Sequence, residues 1–365
     1  MGILGLEETW RTDRPADPLP AGGAPGPEPA PDKLPRRFGE FLLTSLLGQD
    51  ALGRVYRGLL LGETGEFVRV RILDSPHLSR DRLFEAVRRT PAARVSPHRP
   101  RGEKLGTIRG VPYLAWSEMH GWTLDGLTRD LRRRGRRLPV EHVLLIVDGM
   151  ARALETRGPH GVPWPGFVSI SRDGEVRVSG FGLAPAILPA LRIGAIADTV
   201  GPYVAPEVQE EGVASAEGDV YSLAAVALEL LTDSPAPFPG LGRGAGADRL
   251  FPNELGRLLR VALARKRQRF GSAGDLRREL GQFMVTSRHL PSSFHFARFL
   301  RDLDAGRAAP GNARGAADPS GVPPGPDAGM AEVSLVPALE EAEIDAVLQS
   351  FWGEIEKSPP ASGKP

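Results

Sequence analysis

Apolar and polar residues alternate with period two along Glu66-Phe-Val-Arg-Val-Arg-Ile-Leu73, and two apolar-rich runs, Phe38 to Leu47 and Arg54 to Leu61, precede it. Such alternation marks half-buried strands. The ordered part of the chain therefore begins with three strands, the last two joined by a turn at Gly62-Glu-Thr-Gly65. Asp81 to Arg89 suits a short helix, and Lys104 to Trp116 gives two further strands around the turn Arg109-Gly-Val-Pro112. Beyond Thr123 the spacing changes: Leu124, Leu127 and Leu131, then Val143, Leu144, Val147, Met150, Ala151 and Leu154, recur at helical intervals. Strands followed by helices predict an α+β chain in two lobes. Val176-Arg-Val-Ser-Gly-Phe-Gly-Leu-Ala-Pro185 reads as a strand end running into a loop.

Two stretches carry neither period. Residues 12–35 and 305–330 are rich in Pro, Gly and Ala, and bury too little apolar surface to offset chain entropy. They predict a disordered leader over 1–36 and a flexible linker over 305–335. Beyond the linker, 336–357 predicts an amphipathic helix with Ile344, Val347, Leu348, Phe351, Trp352 and Ile355 on one face. That stripe either packs on the chain's own body or enters a groove on another protein, with Phe351 and Trp352 as anchors.

Composition removes several function classes. With 46 basic and 45 acidic residues, no overall field draws the chain to nucleic acid or to an anionic membrane. The absence of cysteine excludes disulfides, thiolate catalysis and cysteine-ligated metals, and fits a cytoplasmic protein. The seven histidines lack metal-ligand spacing, so no metal site is expected. The longest apolar stretch, Val220 to Leu231, is too short to span a bilayer, and the N-terminus shows no targeting pattern. The arginine cluster from Leu131 to Arg137 reads as a solvated helix end rather than a phosphate contact.

Five motifs occur in a telling order: Gly48-Gln-Asp-Ala-Leu-Gly53-Arg-Val55, the hinge-like Tyr113 to Leu124, Gly201-Pro-Tyr-Val-Ala-Pro-Glu207, Gly218-Asp-Val-Tyr-Ser-Leu-Ala224, and Arg269-Phe270. Together they resemble the eukaryotic-like Ser/Thr protein kinase domain of bacteria across about 38–285. The resemblance implies a bilobed protein kinase-like fold, with a small β-rich lobe over 37–117 and a larger helical lobe with a helical extension over 118–304. It also implies scaffold roles. Glu207 and Arg269 would form a buried ion pair, Asp219 would hold the catalytic-loop backbone, and Tyr203 and Pro206 would shape the fold. Glu85 would pair with Arg71, a plain solvated helix face being the alternative.

The positions that phosphoryl transfer needs in that family are a strand lysine, an aspartate base, a metal-binding asparagine and the aspartate of D-F-G. Between Lys33 and Lys104 there is no lysine, and Arg71 takes the place. Between Ala153 and Ser171 there is neither aspartate nor asparagine; Val162 and Phe167 stand at the base and metal positions. Gly180 replaces the D-F-G aspartate. Asp50, at a glycine position of the pocket formed by Gly48, Gly53 and Val55, would repel phosphates. These losses predict a pseudokinase that acts by binding another protein, such as an active kinase or signalling component, without a cofactor. Two alternatives stand: an atypical kinase or ATP-dependent phosphotransferase using ATP and Mg²⁺ with Arg71 and a substitute carboxylate, Asp173 or Glu175, and a purely structural interaction module whose pocket is filled by side chains. The apolar run Leu183 to Asp198 has no phosphorylation acceptor before Thr199, and either packs into the body or forms a docking patch.

Overall fold

The computed structural model describes residues 34–62, 65–90, 96–155, 158–232 and 254–308, all within the first of two units, Met1–Gly315. The residues 1–33 of the leader, the linker beyond 308, and the 336–357 segment with Ile344, Val347, Leu348, Phe351, Trp352 and Ile355 lie outside the described residues.

The small lobe is a six-stranded antiparallel sheet of β1 (Arg36–Phe38), β2 (Phe41–Asp50), β3 (Gly53–Leu60), β4 (Phe67–Ile72), β5 (Lys104–Ile108) and β6 (Val111–Ser117), in the order β1-β2-β3-β4-β6-β5. One helix, α1 (Arg80–Arg89), accompanies it, capped by the Ser79 side chain, which accepts from the Arg82 amide. The turn between β5 and β6 is tighter than the sequence suggests, only Arg109 and Gly110 with φ of 50° and 76°. Alternation along β4 sorts its side chains. Val68, Val70 and Ile72 join Phe41, Leu43, Tyr56, Tyr113 and Ala115 in a core on one face of the sheet. Arg69 and Arg71 take the opposite face.

The β2–β3 hairpin turns between Asp50 and Gly53. Gly53 has φ 139°, and a Cβ there would lie 2.0 Å from the Ile72 carbonyl oxygen, so only glycine fits. Gly48 has no such constraint; a Cβ added to it meets nothing within 4 Å.

The larger lobe holds a three-stranded sheet, β7 (Gly121–Thr123), β8 (Val168–Ser171) and β9 (Val176–Val178). Among the described residues its helices are α2 (Leu124–Arg133), α3 (Val140–Leu154), α4 (Ala184–Arg192), α5 (Ala197–Val200), α6 (Pro206–Glu211), α7 (Ala216–Thr232), α8 (Glu254–Leu263), α9 (Ala273–Thr286) and α10 (Ser293–Ala308). The two lobes form the bilobed α+β organisation that the sequence predicts. The run from Leu183 opens with α4, with Ala186, Ile187, Leu188, Ala190 and Leu191 buried; it packs into the body, and of its large apolar side chains Ile193, past the helix end, is the exposed one, at 77%. The arginine cluster closes α2 with paired charges: Arg132 bonds Glu229, while Arg133 and Arg134 bond Asp130.

One apolar core crosses the cleft. Leu52 from the hairpin tip and Leu73, Leu83 and Leu114 from the small lobe share a single cluster with Val162, Phe167, Val178 and Phe181 of the larger one.

Candidate functional site

The cleft between the lobes is built around Arg71. Strand alternation points it away from the outer core, and it is only 2% exposed. Its Nη1 donates to both carboxylate oxygens of Asp50, at 2.6 and 2.5 Å. Its Nη2 donates to the Gly166 carbonyl oxygen of the opposite lobe at 3.2 Å. The Phe167 ring lies 5.5 Å from the guanidinium carbon, a cation–π distance. Val55 faces Arg71 across the β3–β4 ladder.

This arrangement corrects two expectations. Glu85 does not pair with Arg71; it lies on the outer face of α1 with Arg82 and Arg89. Asp50 is not a free charge aimed at a phosphate, because Arg71 neutralises it. A buried guanidinium cannot shed its proton, so the nearest carboxylate must satisfy it, and the hairpin turn delivers Asp50 closer than α1 delivers Glu85. Asp50 Oδ1 also accepts the Leu52 amide at 2.9 Å, which fixes the turn.

Across the cleft, His160-Gly-Val-Pro-Trp-Pro-Gly-Phe167 forms a loop ending in a 3₁₀ turn at Pro165–Phe167. Asp219, at the start of α7, accepts the His160 and Gly161 amides at 2.7 and 2.8 Å. Burial nevertheless pushes the Asp219 carboxyl up to about 7, against the pull of those two donors. His160 is neutral: Nε2 donates to the Ser179 carbonyl at 2.9 Å and Nδ1 accepts the Val162 amide at 3.3 Å. Burial lowers its pKa to about 4. Val162 is completely buried. Gly180 has φ 89°, and a Cβ on it would lie 2.8 Å from the Phe167 ring.

Mg²⁺ needs hard oxygen ligands in near-octahedral array. Val162, Phe167 and Gly180 offer none, and the aromatic ring occupies the space beside Gly180. The residues present do not fit a Mg²⁺–nucleotide, and among the described residues no group of three or more His, Asp or Glu could hold a metal. Asp173 and Glu175 do not repair this. They sit in the exposed β8–β9 turn, where Glu175 pairs with Arg177 at 2.8 Å, and Gly174 between them packs beside Phe296 of α10.

A second ion pair in the cleft has no counterpart in the sequence reading. Arg99 Nη2 donates to Glu103 Oε2 at 2.6 Å, and Glu103, 4% exposed, accepts the Gly180 amide through Oε1 at 2.6 Å. The Arg99 guanidinium lies 4.1 Å from the Phe181 ring. Burial raises the Glu103 pKa, opposed by the Arg99 charge and the Gly180 amide. The available signal was an opposite-charge i, i+4 pair between helix α1 and strand β5.

The remaining candidates lie behind the cleft. Arg269 Nη1 and Nη2 donate to the two Glu207 oxygens at 2.5 and 3.0 Å, and Nη1 and Nε also reach the Glu217 and Ala264 carbonyls. Burial opposes ionisation of Glu207, but the Arg269 hydrogen bonds hold its pKa below the usual carboxylate value. Pro206 opens α6, where its missing N–H costs nothing. Tyr203 donates its hydroxyl to Glu229 at 2.6 Å, which in turn receives Arg132 at 2.8 Å.

No family model matches the chain. It is 30% identical over 223 residues to a probable serine/threonine-protein kinase of Streptomyces coelicolor, covering 56% of this chain and 32% of that protein. It is 28% identical over 218 residues to the serine/threonine-protein kinase PknA of Mycobacterium tuberculosis, covering 56% and 49%. The matches thus span about a third to a half of these relatives. Among solved structures, the PknI kinase domain of Mycobacterium tuberculosis superposes with a TM-score of 0.53 at 23% identity, over 68% of this chain and 97% of that one. The chain carries a protein kinase-like domain.

Proposed function

We propose that this chain is a pseudokinase, a kinase-like module that acts by binding another protein in bacterial signalling and transfers no phosphate. The observation that carries this reading is the filled cleft: Arg71 is committed to Asp50 and Gly166, and Phe167 packs where a side chain at 180 would stand. A transferring kinase needs a positioned base and metal-held phosphates. Val162 cannot take a proton and Phe167 cannot hold a metal. The partner surface we assign to the sequence stripe Ile344, Val347, Leu348, Phe351, Trp352 and Ile355. Incubation of the full chain with γ-labelled ATP and Mg²⁺, alone and with a generic acceptor protein, tests the catalytic half of the proposal. No incorporation above a protein-free blank is expected; incorporation that disappears in Arg71→Ala would overturn it.

A further inference from the structure

We infer that Asp50 is a built-in anion that takes the place of a ligand's phosphates on Arg71, the cation that bridges the lobes, and keeps the β2–β3 hairpin strapped over the cleft. The inference deepens the pseudokinase reading and rests on it for the meaning of the Arg71 position. Three segments meet at one guanidinium: the hairpin through Asp50, strand β4 through Arg71 itself, and the loop of the other lobe through the Gly166 carbonyl. Only one of these partners is charged. Arg71 Nε has no hydrogen-bond partner, so without Asp50 a fully buried cation would keep a single carbonyl. A guanidinium cannot neutralise itself by losing a proton. Either water must enter, which means the hairpin lifts, or another anion must take the carboxylate's place.

The hairpin is built to stay down while Asp50 is there. Asp50 Oδ1 holds the Leu52 amide, and that turn inserts the Leu52 side chain, 0% exposed, into the core that crosses the cleft. Arg54, four residues on from Asp50, is pinned to Asp74 just beyond β4. Asp50 is thus the charged element of the closure, and Leu52 its apolar element. A compact polyanion of the size of a di- or triphosphate is the ligand class that Arg71 would accept once the carboxylate is removed.

Hydrogen exchange on the full-length chain tests this, comparing wild type with Asp50→Ala, Asp50→Asn and Asp50→Glu, each with and without millimolar inorganic tripolyphosphate and no metal. The asparagine variant keeps the oxygen that holds Leu52 and loses only the charge. Amides of 48–56 should exchange at least tenfold faster in the alanine and asparagine variants, while α7 amides keep wild-type rates. The glutamate variant should stay near wild type. Tripolyphosphate should restore protection in the two uncharged variants and leave wild type unchanged. Where Asp50→Ala loses α7 protection as well, Asp50→Asn decides. Wild-type rates at 48–56 in Asp50→Asn would overturn the inference. So would fast exchange there that tripolyphosphate does not slow, since Asp50 would then serve only the turn. Phosphate incorporation by wild type would instead sink the pseudokinase reading, and would leave the exchange result standing as a description of the closure.

Discussion

The Phe167 ring stands in the space that a side chain at Gly180 would need, with ring atoms 2.8 Å from a Cβ built there, while Gly180 holds φ 89°. Each position therefore fixes the other. Gly180→Ala should destabilise by about 2–5 kcal/mol from backbone strain plus overpacking. In a Phe167→Ala background the overpacking part is relieved, so a double-mutant cycle by urea denaturation should show coupling of about 1–2 kcal/mol. Strict additivity would mean that the two do not meet.

Restoring the strand lysine and the aspartate at 180 should not restore chemistry. Arg71→Lys combined with Gly180→Asp still lacks a base at Val162 and a ligand at Phe167, and Asp50 still claims the cation at 71. Labelled phosphate incorporation by this variant should remain at the blank, and its melting temperature should fall because the aspartate collides with Phe167.

Arg269 and Glu207 tie α6 to the segment between α8 and α9 through two hydrogen bonds. The Arg269 side chain is almost wholly buried, so Arg269→Ala leaves a half-buried carboxylate without its two donors and removes the contacts to the Glu217 and Ala264 carbonyls. A loss of about 3–5 kcal/mol is expected, read as a lower urea midpoint. A loss under about 0.5 kcal/mol, typical of a surface pair, would contradict the structural role.

Protonation of His160 should cost stability in acid. Its folded pKa of about 4 lies below the ordinary 6.5, so on acidification the unfolded chain takes up the proton first. The stabilisation is complete above 6.5 and is lost as pH falls towards 4, by up to about 3 kcal/mol. Asp219 runs the other way over the same window: raised from 3.8 to about 7, it favours the folded state below its ordinary value and loses that contribution as pH rises to 7. The wild-type profile should therefore be flatter than either group alone would give. Subtracting the stability of His160→Asn from that of wild type isolates the histidine, and this difference should shrink between pH 6.5 and 4. A pH-independent difference would refute the assignment.

The strands and their order were legible because burial on one face writes itself as alternation, as in Val68, Val70 and Ile72. The stretches without lysine, aspartate or asparagine, on which the proposed loss of phosphoryl transfer rests, were legible too, since they are read directly from the chain. The partners of the charges were not. Asp50 and Arg71 are 21 residues apart and meet only because the β2–β3 hairpin and the β3–β4 register bring them together, while Glu85, at the position the resemblance favoured, faces outward on α1. Arg99 and Glu103 carry no motif and gain meaning only from the Gly180 amide and the Phe181 ring packed against them. The short strands β1, β7 and β8 are three or four residues each, too brief for period two to stand out, whereas β9 was legible as the strand end before the Gly180 loop.

The cleft is occupied by the chain's own side chains, and on the proposed reading it takes no Mg²⁺–nucleotide. Thermal unfolding of the full chain, titrated with ATP in the presence and absence of Mg²⁺, is the decisive measurement. A ligand at a hundred times its Kd stabilises by about 2.7 kcal/mol, or roughly 5–10 °C for a domain of this size. No Mg²⁺-dependent change in the midpoint is expected up to millimolar ATP. A saturable rise that requires Mg²⁺ and vanishes in Arg71→Ala would contradict it.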